Sequence, residues 1–248
     1  WGRLTDLAKW ALVVETTAVR DEQREMELGC SKMGGTPDLP FMSKVAEEYR
    51  DYHFVGQLDC AELSETRAAG DNGIPPEGVI QFYVDNENRT RTIYLNVHKS
   101  TLKRIAPAFR PMTGRAKVVE QRAKTVPCKM TFREVLVLPG MHSREFTESR
   151  LCHMLTGQGR LNSYKAICEE MAHAGGAAGD PSRTPHRLLG YQLPFAHAQP
   201  GEDVLFAVQS DPHVGIDAEQ LCAPAGQPLV FGFTSEKFAE MQVERVKQ

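Results

Sequence analysis

The sequence predicts an α+β fold: a largely antiparallel β-sheet built from an internal duplication, with helices packed on it. Three observations predict it. First, three blocks recur in one order at similar separations. Lys32–Pro40, Phe54–Asp59 and Pro76–Val84 are followed later by Arg187–Pro194, Phe206–Asp211 and Gly226–Phe233. Second, the apolar runs are short, rich in β-branched and aromatic residues, and bounded by turn residues. Third, helical spacing is confined to a few stretches between them, which favours antiparallel pairing over alternating βαβ units. The 248 residues are therefore read as one domain. Its two pseudo-repeats cover about 11–98 and 131–248, joined by a connection at 99–130.

The elements follow in order. Leu4–Lys9 reads as a short helix and Ala11–Thr17, apolar and β-branched, as a buried strand. Asp21–Glu27 is charged and reads as a solvated turn or short helix. Cys30–Pro40 reads as a loop, because Gly34, Gly35, Pro37 and Pro40 exclude a regular helix. Phe41–Tyr52 suits a helix. Phe54–Asp59 alternates as a strand, and Asp59 or Ser64 is available to cap a helix that follows. Gly70–Gly78 is turn chemistry. Val79–Val84 and Thr90–Val97 are strands joined by a hairpin at Asp85–Arg89.

Lys99–Lys129 lacks a period and reads as a long connection, with a short helix around Ala116–Lys124. Thr131–Leu138 is a strand. Glu145–Met154 and Leu161–Ala174 are helices; Leu161, Tyr164, Ile167, Cys168 and Met171 form one apolar stripe in the second. Gly175–Pro185 is a loop. Val204–Gln209 and Pro228–Phe233 are the strands of the second repeat, followed by a short helix at Thr234–Met241 and a last strand at Val243–Val246.

Composition bounds the function. Hydrophobic content of 41% and charged content of 25% are those of a globular domain large enough to bury a core without staples. No apolar run approaches the roughly 20 residues that span a bilayer. Six scattered cysteines contain no C-x-x-C pair, so a zinc ribbon is excluded. Reduced thiols in a cytoplasmic or other reducing compartment are expected. The chain begins at Trp1 rather than Met, which leaves room for a removed targeting segment.

Net charge is −3, yet residues 99–129 carry nine Lys/Arg against the single acid Glu120. Arg110, Arg115, Lys117, Arg122 and Lys124 form the centre of this basic patch. Such an excess steers an acidic partner. Phe109 is the one aromatic residue in it, so the stacking platform of a nucleic-acid binder is missing and a protein with an acidic surface is the expected partner.

Two clusters are candidate ligand residues. Lys32 with Gly34 and Gly35 places a cation beside exposed backbone N–H groups, a composition that cradles anions. Arg187 and Gly190 repeat it. The competing reading is that the glycines permit positive φ or a close strand approach. Gln57 with Asp59, and Gln209 with Asp211, lie two apart in strands, so each pair shares a face and together they would line a groove between the repeats. The competing reading is that the glutamine bonds a loop backbone and the aspartate caps the next segment. His186, His197 and His213, with Asp211 and Cys222, lack metal-ligand spacing, and Cys152-His153 are neighbours that diverge on a helix. No metal and no cofactor is expected, and no catalytic residue is assigned.

The same blocks resemble a known family. Ser31–Pro40 is similar to the S-K-F-G-G-x-P-x-L-P signature of the YwqG-like family, mostly bacterial proteins of unknown function. Phe54–Leu63 resembles its F-L-x-Q-I-N-L-A-E-L, Ile74–Val84 its L-P-x-x-G-x-L-x-F-F, and His186–Tyr191 its H-K-L-L-G-Y. The resemblance spans roughly 11–246. Three departures stand out: Gln192-Leu193-Pro194 replaces P-D-P, Ile216–Ala225 has no counterpart of the family's W-G-D, and the basic stretch 99–129 does not match the family's pattern. The resemblance implies an α+β, largely antiparallel fold with internal pseudo-symmetry and no established reaction. Proximity of family genes to polymorphic toxins implies an immunity or interaction role.

The expected function is a non-enzymatic protein-binding or scaffolding domain, immunity-like or a subunit of a larger assembly. The alternative is a small-ligand-binding protein or enzyme with its site in the groove between the repeats.

Overall fold

The structure is a computed structural model that describes residues 4, 6–41, 52–84, 90–105, 126–141, 144–174, 186–189, 203–208 and 229–233. Within these, eleven strands are β1 (Lys9–Ala18), β2 (Lys32–Met33), β3 (Asp38–Pro40), β4 (His53–Asp59), β5 (Val79–Val84), β6 (Thr90–Leu95), β7 (Leu102–Arg104), β8 (Cys128–Val137), β9 (His186–Leu188), β10 (Asp203–Val208) and β11 (Leu229–Phe233). The helices are α1 (Glu22–Glu25), α2 (Cys60–Ser64), α3 (Arg67–Asp71), α4 (Arg144–Thr147), α5 (Arg150–Gly157) and α6 (Leu161–Ala174).

Nine strands form one antiparallel sheet in the order β11-β10-β9-β1-β8-β2-β4-β5-β6, and β3 pairs with β7 in a separate ribbon. The fold is thus α+β and largely antiparallel, as the sequence predicts. At its centre β1 and β8 pair over ten residues, Lys9 opposite Val137 and Ala18 opposite Cys128. Ala11, Leu12, Val13 and Val14 are all buried, so β1 is covered on both faces and reads as an unbroken apolar run. The sheet curls until its outer strands β6 and β11 lie against each other.

The curl encloses the main core of Leu12, Val14, Met33, Leu58, Ile80, Phe82, Met130, Leu188, Phe206 and Phe231. Phe82 of β5 meets Phe206 and Phe231 at ring-centroid distances of 5.1 and 4.9 Å, the separation aromatic pairs prefer. A second cluster of Leu39, Phe54, Tyr83, Ile93 and Leu95 joins the β3–β7 ribbon to the sheet. A third joins α4, α5 and α6, where Phe146 stacks on Tyr164 at 4.3 Å and Tyr164 donates its hydroxyl to Pro139 O.

Several expectations change. Cys30–Pro40 contains β2 and β3, because glycine and proline exclude a helix but not two short strands whose partners lie elsewhere in the chain. β7 interrupts the expected connection from Lys99 for the same reason, as its partner is β3. The helix expected over Glu145–Met154 is two helices: Ser149 leaves the helix and caps α5 by accepting from Cys152 N. The stripe expected on α6 is buried or half-buried at Leu161, Tyr164, Ile167, Cys168 and Met171. The expected helices at Ala116–Lys124 and Thr234–Met241, the strand at Val243–Val246 and the hairpin turn at Asp85–Arg89 lie outside the described residues, as do the loop at Gly175–Pro185 and most of the helix expected at Phe41–Tyr52.

Candidate functional site

Lys32 lies in β2, between β4 and β8, with its side chain fully buried. Its ammonium group has three protons to place. Glu22 Oε1 takes one at 2.8 Å, Thr36 O one at 2.6 Å, and Asp38 Oδ2 lies at 3.1 Å. A buried cation needs such partners, since desolvation alone would strongly disfavour it.

The second cation is Arg104 at the end of β7. Its Nε donates to Asp38 Oδ1 at 2.9 Å and lies 3.5 Å from Glu22 Oε1. Nη1 donates to Glu22 O, and Nη2 to Met26 O and Glu27 O at 3.3 and 3.1 Å. Two cations and two carboxylates therefore form a neutral buried quartet. It links α1, β2, β3 and β7.

The two adjacent glycines serve this quartet. Gly34 and Gly35 have φ of 64° and 69°, which β-carbon-bearing residues rarely adopt. At Gly35 an added Cβ would fall 2.6 Å from Glu22 Oε1. Glycine is thus required both by the backbone and by the carboxylate that packs on it. The Glu22 carboxylate also accepts from Thr36 N at 3.1 and 3.2 Å.

Amide side chains complete the cluster. Gln57 in β4 accepts from Asp38 N at 3.1 Å and donates to Asp38 Oδ2 and Cys30 O at 2.9 and 3.0 Å. Gln81 in β5 donates to Asp38 O at 2.8 Å and receives the Tyr83 hydroxyl at 2.8 Å. Gly29 N adds a bond of 2.9 Å to Asp38 Oδ2. Burial pushes the Asp38 carboxyl up. The Arg104 hydrogen bond, the Lys32 charge and the Gly29 N–H outweigh that and hold it below the usual carboxylate range. Arg104 is lowered by its own burial, but the Asp38 hydrogen bond and the carboxylate charges more than offset this and raise it.

Asp59 lies beside the cluster. Its Oδ1 caps α2 through Ala61 N at 3.1 Å, its N–H donates to Ser31 Oγ at 3.0 Å, and Oδ2 pairs with Lys99. Gln57 and Asp59 thus bond a loop backbone and cap a helix, respectively. Next to Asp59, burial and the Asp59 charge push the Cys60 thiol up to about 12, with partial relief from Ile80 N.

The structure brings Lys32, Gly34, Gly35, Gln57 and Asp59 into one neighbourhood. In the second half, Arg187 lies in β9 opposite Val13 and Ala207. Gly190, Gln209 and Asp211 lie outside the described residues, as do Arg110, Arg115, Lys117, Arg122 and Lys124. Sequence reasoning missed Glu22, Asp38, Gln81 and Arg104. Gln81 left a signal, a polar residue between Ile80 and Phe82 in an apolar run. Arg104 left none, being 66 residues from Asp38.

Among the described residues no group of three His, Cys, Asp or Glu is placed to hold a metal ion, and no helix is long and apolar enough to cross a membrane. The arrangement is a closed set of mutual bonds. Chemically it holds strands and loops in place, because the donors of Lys32 are already directed at three acceptors of the chain. No curated protein matches the sequence. A family model matches residues 31–220, from the start of the Lys32 motif to beyond β10, and the chain belongs to that family, described as Domain of unknown function (DUF1963).

Proposed function

We propose that this protein is a non-enzymatic binding or scaffolding domain that engages another protein through that partner's acidic surface. The carrying observation is the closed quartet. Lys32 and Asp38 of the motif are bonded to each other and to Glu22, Gln57 and Arg104 from outside it, so the motif supports the frame. With Arg104 held in the quartet and Lys99 paired with Asp59, recognition falls to the remaining charge centred on Arg110, Arg115, Lys117, Arg122 and Lys124. An immunity-like role, or that of a subunit in a larger assembly, fits this reading, as does the finer YwqG-like membership carried by the motif at Ser31–Pro40. A reducing compartment fits the free thiols of Cys30, Cys60 and Cys152.

The test is affinity purification at low and moderate salt, comparing the native chain with a variant carrying glutamate at Arg115, Lys117, Arg122 and Lys124. A stoichiometric partner is expected with the native chain. Its recovery falls with salt and falls again with the reversal. Equal recovery by both proteins at both salt concentrations refutes the reading.

A further inference from the structure

The strand order has a two-fold character around the β1–β8 pair. On one side lie β9, β10 and β11, and on the other β2, β4 and β5. The registers correspond. Met33 faces Cys128 of β8, and Leu188 faces Leu12 of β1. Gly56 faces Met33, and Phe206 faces Leu188. Phe82 then faces Gly56, and Phe231 faces Phe206. The pairing is irregular just before Gly56 and just before Phe206. One residue after Met33 and after Leu188, Gly34 and Leu189 share a φ of 64°. Leu189 is the one non-glycine residue at positive φ among those described. The correspondence also closes on itself: exchanging Val13 with Lys129 carries the pair Val13–Arg133 onto Lys129–Thr17, and both pairs are present.

We infer that the two halves are one duplicated unit whose first strands have changed places. β1 of the first half is held by β8 and β9 of the second, while β8 of the second is held against β2 of the first. β1 has no ladder to β2, nor β8 to β9. Each half is therefore completed by the other. The partner its open strands fit is the opposite half, from the same chain or from a second copy by reciprocal exchange.

The correspondence also reassigns the recurring blocks. Gln57 faces Lys32, and Ala207 faces Arg187, so the counterpart of Gln57 is Ala207 rather than Gln209. Gln81 corresponds to Val230. The amides that close the polar cluster thus exist in the first half alone, and at the two matching positions the second half is apolar.

Residues 105–127 link β7 to β8. Joined in one chain, the two halves meet at an effective concentration on the order of millimolar, so the closed monomer prevails in dilute solution. The test inserts a protease site between Arg115 and Ala116 of the full chain, or between Met112 and Thr113 if the first insertion disturbs the circular dichroism spectrum. After cleavage the fragments are expected to elute as one body with an unchanged spectrum. Light and isotopically heavy cleaved proteins, mixed, unfolded in urea and returned to buffer, are expected to give mixed pairs in statistical proportion by native mass spectrometry. The uncut chain refolded at about millimolar concentration is expected to yield a dimer with the monomer's spectrum. Separation of the fragments in native buffer, or cooperative unfolding by either fragment alone, overturns the exchange. Exclusively monomeric refolding at millimolar concentration overturns the second-copy partner.

Discussion

Replacing Asp38 by asparagine tests the quartet with a change of one heavy atom. Asp38 is fully buried and accepts at both oxygens: Oδ1 from Arg104, Oδ2 from Gly29 N and Gln57 Nε2, with Lys32 3.1 Å away. An asparagine amide must turn its NH2 toward one side or the other. Toward Oδ2 it meets four donors, Gly29 N, Gln57 Nε2, the Lys32 ammonium and Arg104 Nη2, and toward Oδ1 it meets Arg104 Nε. Neither orientation avoids donor facing donor, and both leave two buried cations with one carboxylate. Breaking a buried ion pair by removing one partner costs about 3–5 kcal/mol. For a chain of this length that is a fall in Tm of roughly 6–20 °C. Urea unfolding followed by circular dichroism measures it, with Glu65→Gln, at an exposed position, as the control. A loss under about 1 kcal/mol, the range of an exposed pair, refutes the claim that the quartet holds the frame.

Four further outcomes follow from the structure. The Asp38 carboxyl is held below its unfolded value of about 3.9, so its contribution to stability is full above that value and disappears as pH falls through the lower folded value. Stability of the native chain is therefore expected to drop in acid more steeply than that of Asp38→Asn, as acid titration followed by circular dichroism will show. Cys60, with its thiol pushed up to about 12, is expected to resist iodoacetamide at pH 8 in the folded protein and to react in urea, read by mass spectrometry. Gly78→Ala is expected to cost 2 kcal/mol or more, on the order of a strained or overpacked core change, because φ is +94° and the new Cβ would lie 2.5 Å from Leu95 O. Gly73→Asn, also at positive φ but with open space around it, is expected to be nearly neutral in the same urea assay.

The sequence reveals what is locally encoded. β1 and β5 are largely apolar runs whose own composition requires burial, β4 alternates, and α6 carries its stripe at helical spacing. β3 and β7 have only three residues each and exist because they meet across 60 or more positions of chain. No local pattern marks such a pairing. The same separation hides Arg104 from any reading of the Lys32 motif. Under the inferred correspondence of the halves, Gln57 matches Ala207, which sets the recurrence of Gln57-x-Asp59 as Gln209-x-Asp211 two residues out of register. Both strands are irregular at matching positions, Val55 and Leu205, so the register follows from which residues pair and not from likeness of side-chain type. Gly34-Gly35 shows the opposite case: the requirement for positive φ is legible, but its purpose, room for the Glu22 carboxylate, is visible only in three dimensions.

The curl that sets β6 against β11 has one more consequence. An open nine-stranded sheet would present two flanks of unpaired N–H and C=O groups, on which foreign strands polymerise. Here each flank shelters the other. A foreign strand would have to part β6 from β11 before it could extend the main sheet. The same closure protects the chain from templated fibre growth.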